Sequence, residues 1–397
     1  SSDLSSTSYN FLVIPYTWDG INSTTYNYLT SGAPTVTLAT PAATYTWVGN
    51  NGSWGTAANW SPNRTTTATS DVLIFNGGST VTVSGVPTQT IGKLEISGSS
   101  TKITLQATSS ATLTIGNSSS TDLTVAAGCE LNLSGSNSIT IVTSTGATGS
   151  ISGTMKFMNA PHSLVPADPY AVTFNSGSIF YAGDPFSVGF SGNAFGSSSG
   201  TTYNGVVFLN GSTFTQYEGS NPFAISQPNS RVQFEAGSNF IFSTASSPSL
   251  NGRTFGNLEI NSTSTTLSNL TGSAPLTING NLSITAAGAA VNLNLTGGIA
   301  IAGNITVANG LTLGFNPSSA STLTLNGTSQ QSINGAGTLI FGSTTTLLLN
   351  NSQGMLLNRD ISLLGPLTLT SGTLDIGSNT LTISGSINLT SGSIDAD

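Results

Sequence analysis

Few side chains in this chain of 397 residues are of types that carry out acid–base, nucleophilic or metal chemistry, and they are scattered. His162 is the only histidine and Cys129 the only cysteine. The 15 acidic residues stand singly, and Asp168 and Asp184 are the nearest plausible pair outside the tail. Glycosidases need two positioned carboxylates, and zinc sites need several ligands. We therefore predict no catalytic residue, no cofactor and no metal site, and we do not expect an enzyme.

Each of these residues has an ordinary structural interpretation. Asp168 and Asp184 both precede a proline, a typical start of a turn. Cys129, surrounded by alanine, glycine and leucine, is expected to be buried as a small apolar residue. We interpret His162 as a loop residue without a functional role.

Composition and charge exclude several classes of partner. Charged residues make up only 6% of the chain, and 15 acids against 7 bases give a net charge of −8. A nucleic-acid-binding protein needs a basic patch, so we exclude nucleic acid as a partner. No stretch approaches the roughly 20 apolar residues of a membrane span, so we predict no membrane insertion. The start at Ser1 without methionine and the scarcity of lysine and arginine favour an exported chain, extracellular or on a cell surface.

The elements that would hold any site are short repeats. From Gly365 to Asp397 an apolar–polar–apolar triplet recurs every six or seven residues. The first residues of these triplets are Leu367, Leu374, Leu381, Ile387 and Ile394. Glycine, serine or asparagine corners separate the triplets. Strands this short are stable only when they stack on copies of themselves. The pattern predicts an all-β chain folded as a right-handed parallel β-helix, a β-solenoid.

The triplet pattern divides the chain into segments. An N-terminal arm contains two strand-like runs, Phe11–Ile14 and Thr35–Thr40. A tryptophan-rich cap follows, in which Trp47, Trp54 and Trp60 are expected to plug the apolar end of the solenoid. A later segment holds most of the phenylalanines and predicts wider coils. The predicted segments are the arm (1–43), the cap (44–66), a first solenoid part (67–154), the aromatic-rich coils (155–255) and a second solenoid part running to the C-terminus (256–397).

Two segments resemble known bacterial secreted proteins. The stretch from Tyr45 to Trp60, with its spaced tryptophans and final Ala-Asn-Trp, resembles a segment that precedes the β-helix in autotransporter-like surface-repeat proteins. The stretch from Gly219 to Ile260, with its Asn-Pro-Phe corner, resembles a segment of large type IX-secreted proteins of Bacteroidetes-type bacteria. These resemblances imply export and a surface location.

The function predicted from these features is structural. We expect an extracellular protein that assembles with itself head to tail into a filament, a surface layer or a biofilm matrix. One alternative is an adhesin or glycan-binding β-helix, with a surface glycan as partner, because exposed aromatic rings stack on sugars. A second is a polysaccharide-degrading β-helix enzyme. The residues predicted to mediate assembly lie in the arm and in the last triplets: Phe11, Leu12, Val13, Ile14, Val36, Leu38, Ile387, Leu389 and Ile394.

Overall fold

The computed structural model describes residues 42–116, 121–186, 189–197, 199–225, 229–244, 248–263, 267 and 269–396. Before residue 42 it describes Ile21 and the backbone of four short arm strands, β1–β4: Tyr9–Leu12, Tyr16–Thr17, Asn27–Tyr28 and Thr35–Leu38.

The first part of the body contains strands β5–β25 and one short 3₁₀ helix, Ala57–Asn59, between β6 and β7. The strands are Thr44–Trp47, Gly52–Ser53, Trp60–Ser61, Val72–Phe75, Thr80–Ser84, Gln89–Ile91, Lys93–Ile96, Lys102–Gln106, Ala111–Ile115, Leu123–Val125, Glu130–Ser134, Ile139–Thr143, Gly149–Ile151, Thr154–Phe157, Ser163–Pro166, Val172–Phe174, Ile179–Ala182, Val206–Phe208, Thr213–Gln216, Val232–Phe234 and Asn239–Phe242.

The second part contains strands β26–β45. They are Thr254–Phe255, Asn257–Ser262, Leu270–Gly272, Leu276–Ile278, Leu282–Ala287, Val291–Leu295, Ile299–Ile301, Ile305–Val307, Thr312–Phe315, Ser321–Leu325, Gln331–Asn334, Thr338–Phe341, Thr345–Asn350, Met355–Leu357, Ile361–Leu363, Leu367–Ser371, Thr373–Asp375, Leu381–Ile383, Ile387–Leu389 and Ser393–Asp395.

These strands coil around one core and form three faces. Face 1 consists of a nine-stranded sheet that ends at β24 and a seven-stranded sheet that begins at β26. Face 2 is one continuous sheet of 15 strands, from β6 to β45. Face 3 consists of a four-stranded sheet that ends at β19 and a six-stranded sheet that begins at β28. Strands of successive coils pair in parallel, and the body is a β-solenoid of about 14 turns, which confirms the predicted parallel β-helix.

Alternation along each strand explains why the coils stack. On face 2, Val83, Leu105, Leu133 and Phe157 are aligned in four successive coils, and each is fully buried. The residue before each of them points outward and is threonine, asparagine or lysine. A shift of one residue would expose the whole apolar set, so the core determines the register.

The middle of the solenoid is built differently. Phe180 and Phe214, aligned across one turn, are 34 residues apart, whereas Phe240 and Leu258, aligned across a later turn, are 18 apart. In the described part of the coils that contain β20–β25, face 3 has no strand, and Phe195 fills the interior from a loop. The length of a coil is therefore set by its loops, and the shared core keeps the strands aligned.

Buried phenylalanines fill this middle part. On face 1, Phe174 and Phe208 stack with their ring centroids 4.4 Å apart and their planes 7° from parallel. On face 2, Phe214 lies 5.0 Å from Phe180 and 5.1 Å from Phe240. These five rings are inside the solenoid, so they are not available to stack on a glycan.

Candidate assembly sites at the two ends of the solenoid

The arm strands pair only with each other among the described strands. β1 pairs with β4 in antiparallel fashion, with Phe11 opposite Val36 and Tyr9 opposite Leu38. β2 pairs with β3, and neither pair joins a solenoid sheet. The first arm strand begins earlier than predicted and ends at Leu12, so the predicted assembly residues Val13 and Ile14 lie outside the described residues.

Three tryptophans close the first end of the solenoid. Trp47, Trp54 and Trp60 are exposed by only 5%, 2% and 1%. Trp60 packs edge-on against Trp47, with centroids 5.0 Å apart, and against Trp54 at 5.5 Å. It also lies 5.4 Å from Phe75 in the first coil. β7, which begins at Trp60, pairs in antiparallel fashion with β5 and covers its edge. Rings this deeply buried serve as a plug, because aromatic side chains gain most free energy from burial.

The side chain of Asn59 packs closely against two glycines of the same segment, Gly49 and Gly52. Its side chain donates a hydrogen bond to the carbonyl of Ser53 at 2.9 Å. A Cβ atom at Gly52 would lie 2.6 Å from the Asn59 amide nitrogen, and one at Gly49 would lie 2.9 Å from its amide oxygen. A side chain at either position would force the Asn59 amide to move, because the loop folds directly onto it.

A buried ion pair supports the plug, and the sequence pattern did not predict it. Arg64 Nη2 lies 2.7 Å from Asp71 Oδ2, with both side chains almost fully buried. The guanidinium also lies 5.9 Å from the centroid of the Trp60 ring. The Asp71 carboxylate accepts a further hydrogen bond from the backbone N–H of Ala68. The pair ties the segment after Trp60 to the first coil of face 1.

The last described coil has exposed apolar side chains. The last coil consists of β43, β44 and β45, and its side chains Ile387, Leu389 and Ile394 are exposed by 49%, 58% and 36%. The residues aligned with them one coil earlier are Leu367, Leu369 and Leu374, all with 1% exposure or less. The two sets share a strand position and a side-chain direction. They differ in whether another coil covers them.

The size of this exposed surface limits what it can do alone. Complete burial of an isoleucine or leucine contributes about 1.5–3 kcal/mol. Covering the exposed parts of these three side chains would contribute about 3 kcal/mol. Association costs at least about 4 kcal/mol in lost translational and rotational freedom. Stable association at this end therefore also needs hydrogen bonds to the edges of β43, β44 and β45.

The side chains singled out for chemistry do not come together. Asp168 Oδ2 accepts a hydrogen bond from the backbone N–H of Gly146 and follows a face 3 strand. Asp184 Oδ1 accepts one from the N–H of Phe186 and follows a face 2 strand. Asp184 stabilises its own turn, whereas Asp168 links its loop to the neighbouring coil. Cys129 is buried, and its Sγ lies 2.7 Å from the carbonyl oxygen of Gly98.

His162 has a structural role that the sequence interpretation missed. Its side chain is fully buried. The N–H of Ile139 donates to Nδ1 at 2.9 Å, and Nε2 lies 3.0 Å from the carbonyl of Met158. This arrangement requires a neutral ring with its proton on Nε2. Burial lowers the pKa of His162 to about 4. The ring bridges two neighbouring coils.

Two further features of the described residues concern metal binding and membrane insertion. Across these residues, no three histidine, cysteine, aspartate or glutamate side chains group closely enough to hold a metal ion. Nor does this part of the chain contain a helix with the length and apolar character needed to span a bilayer.

Comparison with family models, with curated proteins and with solved structures finds no match for this chain. Its function must therefore be inferred from the geometry of the two ends and from the surface of the solenoid.

Proposed function

We propose that this chain is an extracellular structural protein that assembles head to tail into a filament, surface layer or matrix. The observation that carries the proposal is the difference between the two ends. The first end is plugged by buried tryptophans, whereas the last coil exposes Ile387, Leu389 and Ile394 together with three strand edges. In this 397-residue chain, such edges are free to pair with strands of other chains.

The occupant we propose for the last coil is the arm of a second copy. A two-stranded antiparallel sheet is at best marginally stable on its own in water. The β1–β4 pair, which is separate from the solenoid sheets, would gain stability by adding a strand to an open edge. Such a contact joins two different surfaces and need not close, so it builds a filament.

Composition supports a location outside the cell. The chain has only 7 lysine and arginine residues, which leaves few sites for trypsin-like cleavage. The resemblance of the tryptophan segment to autotransporter-like surface proteins points in the same direction.

The experiment is sedimentation velocity combined with negative-stain electron microscopy of the 397-residue chain over a range of concentrations. The test variant is Ile387→Asn/Leu389→Asn. The matched control is Ile340→Asn/Leu364→Asn, which removes two side chains exposed to a similar degree, 42% and 52%, on the sides of the solenoid. We expect filaments from the wild type and the control, and monomers from the test variant. A wild-type chain that stays monomeric at the highest concentration would overturn the proposal.

Deletion of residues 1–43 tests the role of the arm. We expect a soluble monomer, because the strand donor is lost while the solenoid keeps its plug. Filaments that still form without the arm would show that stacking of coils is sufficient, and the donor-strand contact would then be wrong.

A further inference from the structure

A concave feature lies on the side of the solenoid, where face 1 is interrupted. The strands β24 and β26 follow each other on this face but are not paired. Between them lies a cleft of about 580 Å³, within the range of about 300–1,000 Å³ typical of ligand sites. From this cleft we infer that the chain binds a neutral oligosaccharide, a role beyond assembly.

The interruption is built by specific contacts. The Ser230 hydroxyl lies 3.1 Å from the backbone nitrogen of Val232 and donates to the carbonyl oxygen of the same residue. The Ser230 hydroxyl thus satisfies the N–H and the carbonyl of Val232, which strand β26 would otherwise bond. A serine that occupies the strand edge keeps the sheet open at this point.

A buried arginine lies among the residues that line the cleft. Arg253 is exposed by only 4%. Its guanidinium donates to the carbonyls of Asn229 and Ile225, at 2.6 and 2.5 Å. The guanidinium carbon lies 4.5 Å from the centroid of the Phe223 ring. The cation is therefore engaged with backbone oxygens and an aromatic face, so it is poorly placed to receive an anion.

The walls carry polar side chains with unused hydrogen-bonding capacity. Asn204, Gln233, Glu235, Thr254 and Asn279 all line the cleft. Within the described part of the chain, none of these five side chains makes a hydrogen bond.

Asparagines on face 2 behave differently. There, Asn257 Oδ1 accepts from the N–H of Asn281 at 2.8 Å, and Asn281 Oδ1 accepts from the N–H of Asn304 at 2.8 Å. Those side chains hold successive coils together, whereas the amides around the cleft are left for another partner.

The lining selects a class of ligand. Amides and a hydroxyl can donate and accept, and a carboxylate accepts, which matches the mixed donors and acceptors of sugar hydroxyls. The Glu235 carboxylate disfavours a polyanion such as nucleic acid or a polyuronate. A neutral oligosaccharide satisfies both conditions.

The cleft and the assembly surfaces are separate. The cleft lies on a side of the solenoid, near residues 230–236 and 252–254, and the assembly surfaces lie in the arm and in the coil that holds Ile387. Binding therefore does not depend on assembly. If copies join end to end, the cleft repeats along the filament, and weak sites would bind a long glycan with avidity.

The experiment is isothermal titration calorimetry of the full chain with maltohexaose, cellohexaose, laminarihexaose and chitohexaose, and with an oligogalacturonate as the anionic comparison. The test variant is Gln233→Ala/Asn279→Ala. The control is Thr124→Ala/Thr324→Ala, which removes two outward-facing hydroxyls elsewhere on face 1. Circular dichroism and thermal melting would verify that both variants fold.

We expect at least one neutral oligosaccharide to bind. The test variant should bind it about tenfold more weakly or worse, since hydrogen bonds are lost, and the control should match the wild type. Three outcomes would each overturn the inference. None of the four neutral probes binds at millimolar concentration, or only the oligogalacturonate binds, or both variants lose affinity for the oligosaccharide equally.

Discussion

The first coil and the last described coil of the solenoid differ in how their apolar interiors are covered. Every coil has an apolar interior that must be covered at both ends of the stack. At the first end, Trp60 is 1% exposed, held by neighbouring rings and a buried ion pair. At the other end, Leu389 occupies a regular inward position and is 58% exposed. The comparison teaches that the repeat itself cannot close the stack, because closure requires side chains that do not belong to the repeat.

The largest effect that would test this comparison comes from one substitution made in two adjacent coils. Leu369 and Leu389 are aligned on β41 and β44. Leu369→Asp would bury an unpaired carboxylate and should destabilise the last coils by about 5 kcal/mol or more. Leu389→Asp should cost less than about 1 kcal/mol, because its side chain already contacts water. Hydrogen–deuterium exchange of peptides spanning residues 355–396 would measure both effects.

Equal protection of these peptides in the two variants would show that Leu389 is covered in solution. In that case the last coil would not be an open end, and the difference between the ends would not hold for the isolated chain.

A second, smaller effect concerns the closed end. Arg64→Met leaves the Asp71 carboxylate buried without its partner, which should cost about 3–5 kcal/mol. The double variant Arg64→Met/Asp71→Leu should recover most of that loss, since apolar pairs often replace buried ion pairs without penalty. Chemical denaturation followed by tryptophan fluorescence measures this end selectively, because Trp47, Trp54 and Trp60 all lie there. An unchanged midpoint for Arg64→Met would mean that the pair does not support the plug.

Acid provides a third effect, in the first part of the solenoid around His162. His162 has a pKa of about 4 in the folded chain, below the 6.5 expected when it is unfolded. Below pH 6.5 the unfolded chain therefore binds a proton that the folded chain excludes. The free energy of unfolding should fall by up to about 3 kcal/mol between pH 6.5 and pH 4 and should be independent of this group above pH 7.

The acid effect should be local. We expect faster hydrogen exchange in residues 139–165 at pH 4.5 than at pH 7, after correction for the intrinsic pH dependence of exchange. A His162→Gln variant should lose this difference. If the peptides of the two ends change as much as those near residue 162, the coils are coupled more strongly than in a nearest-neighbour solenoid.

The sequence predicted the parts of the molecule that depend on short-range periodicity. The alternation of Leu369, Ile376 and Ile383 with polar neighbours predicted inward positions. Leu369 is buried, and Ile376 and Ile383 are partly buried and pack against the core. The burial of Trp54 and Trp60 followed from the tendency of large rings to leave water. The predicted β-helix is confirmed, and its assembly and location stay predictions.

Contacts across coils could not be predicted in the same way. Arg64 and Asp71 lie in loops with no periodicity, and their pairing depends on how the segment after Trp60 folds back. The partners of His162 are Ile139 and Met158, and the bond to Ile139 is set by the stacking of two coils. The gap between β24 and β26 depends on loop conformation, which a pattern of apolar residues does not specify.

The same gap has a mechanical consequence. Strand hydrogen bonds in this fold run along the solenoid axis, so a pulling force along that axis is carried by the three faces together. At the step from β24–β25 to β26–β27, face 1 is interrupted and face 3 has no described strand pair, so the face 2 ladder from Asn239–Phe242 to Asn257–Ile260 is the only described strand pairing between the coils. Side-chain hydrogen bonds, such as those of Arg253, add to it. Under tension the chain should therefore part first at this step, between Phe242 and Thr254. Stretching by single-molecule force spectroscopy should show the first rupture as separation into two stretches that remain folded.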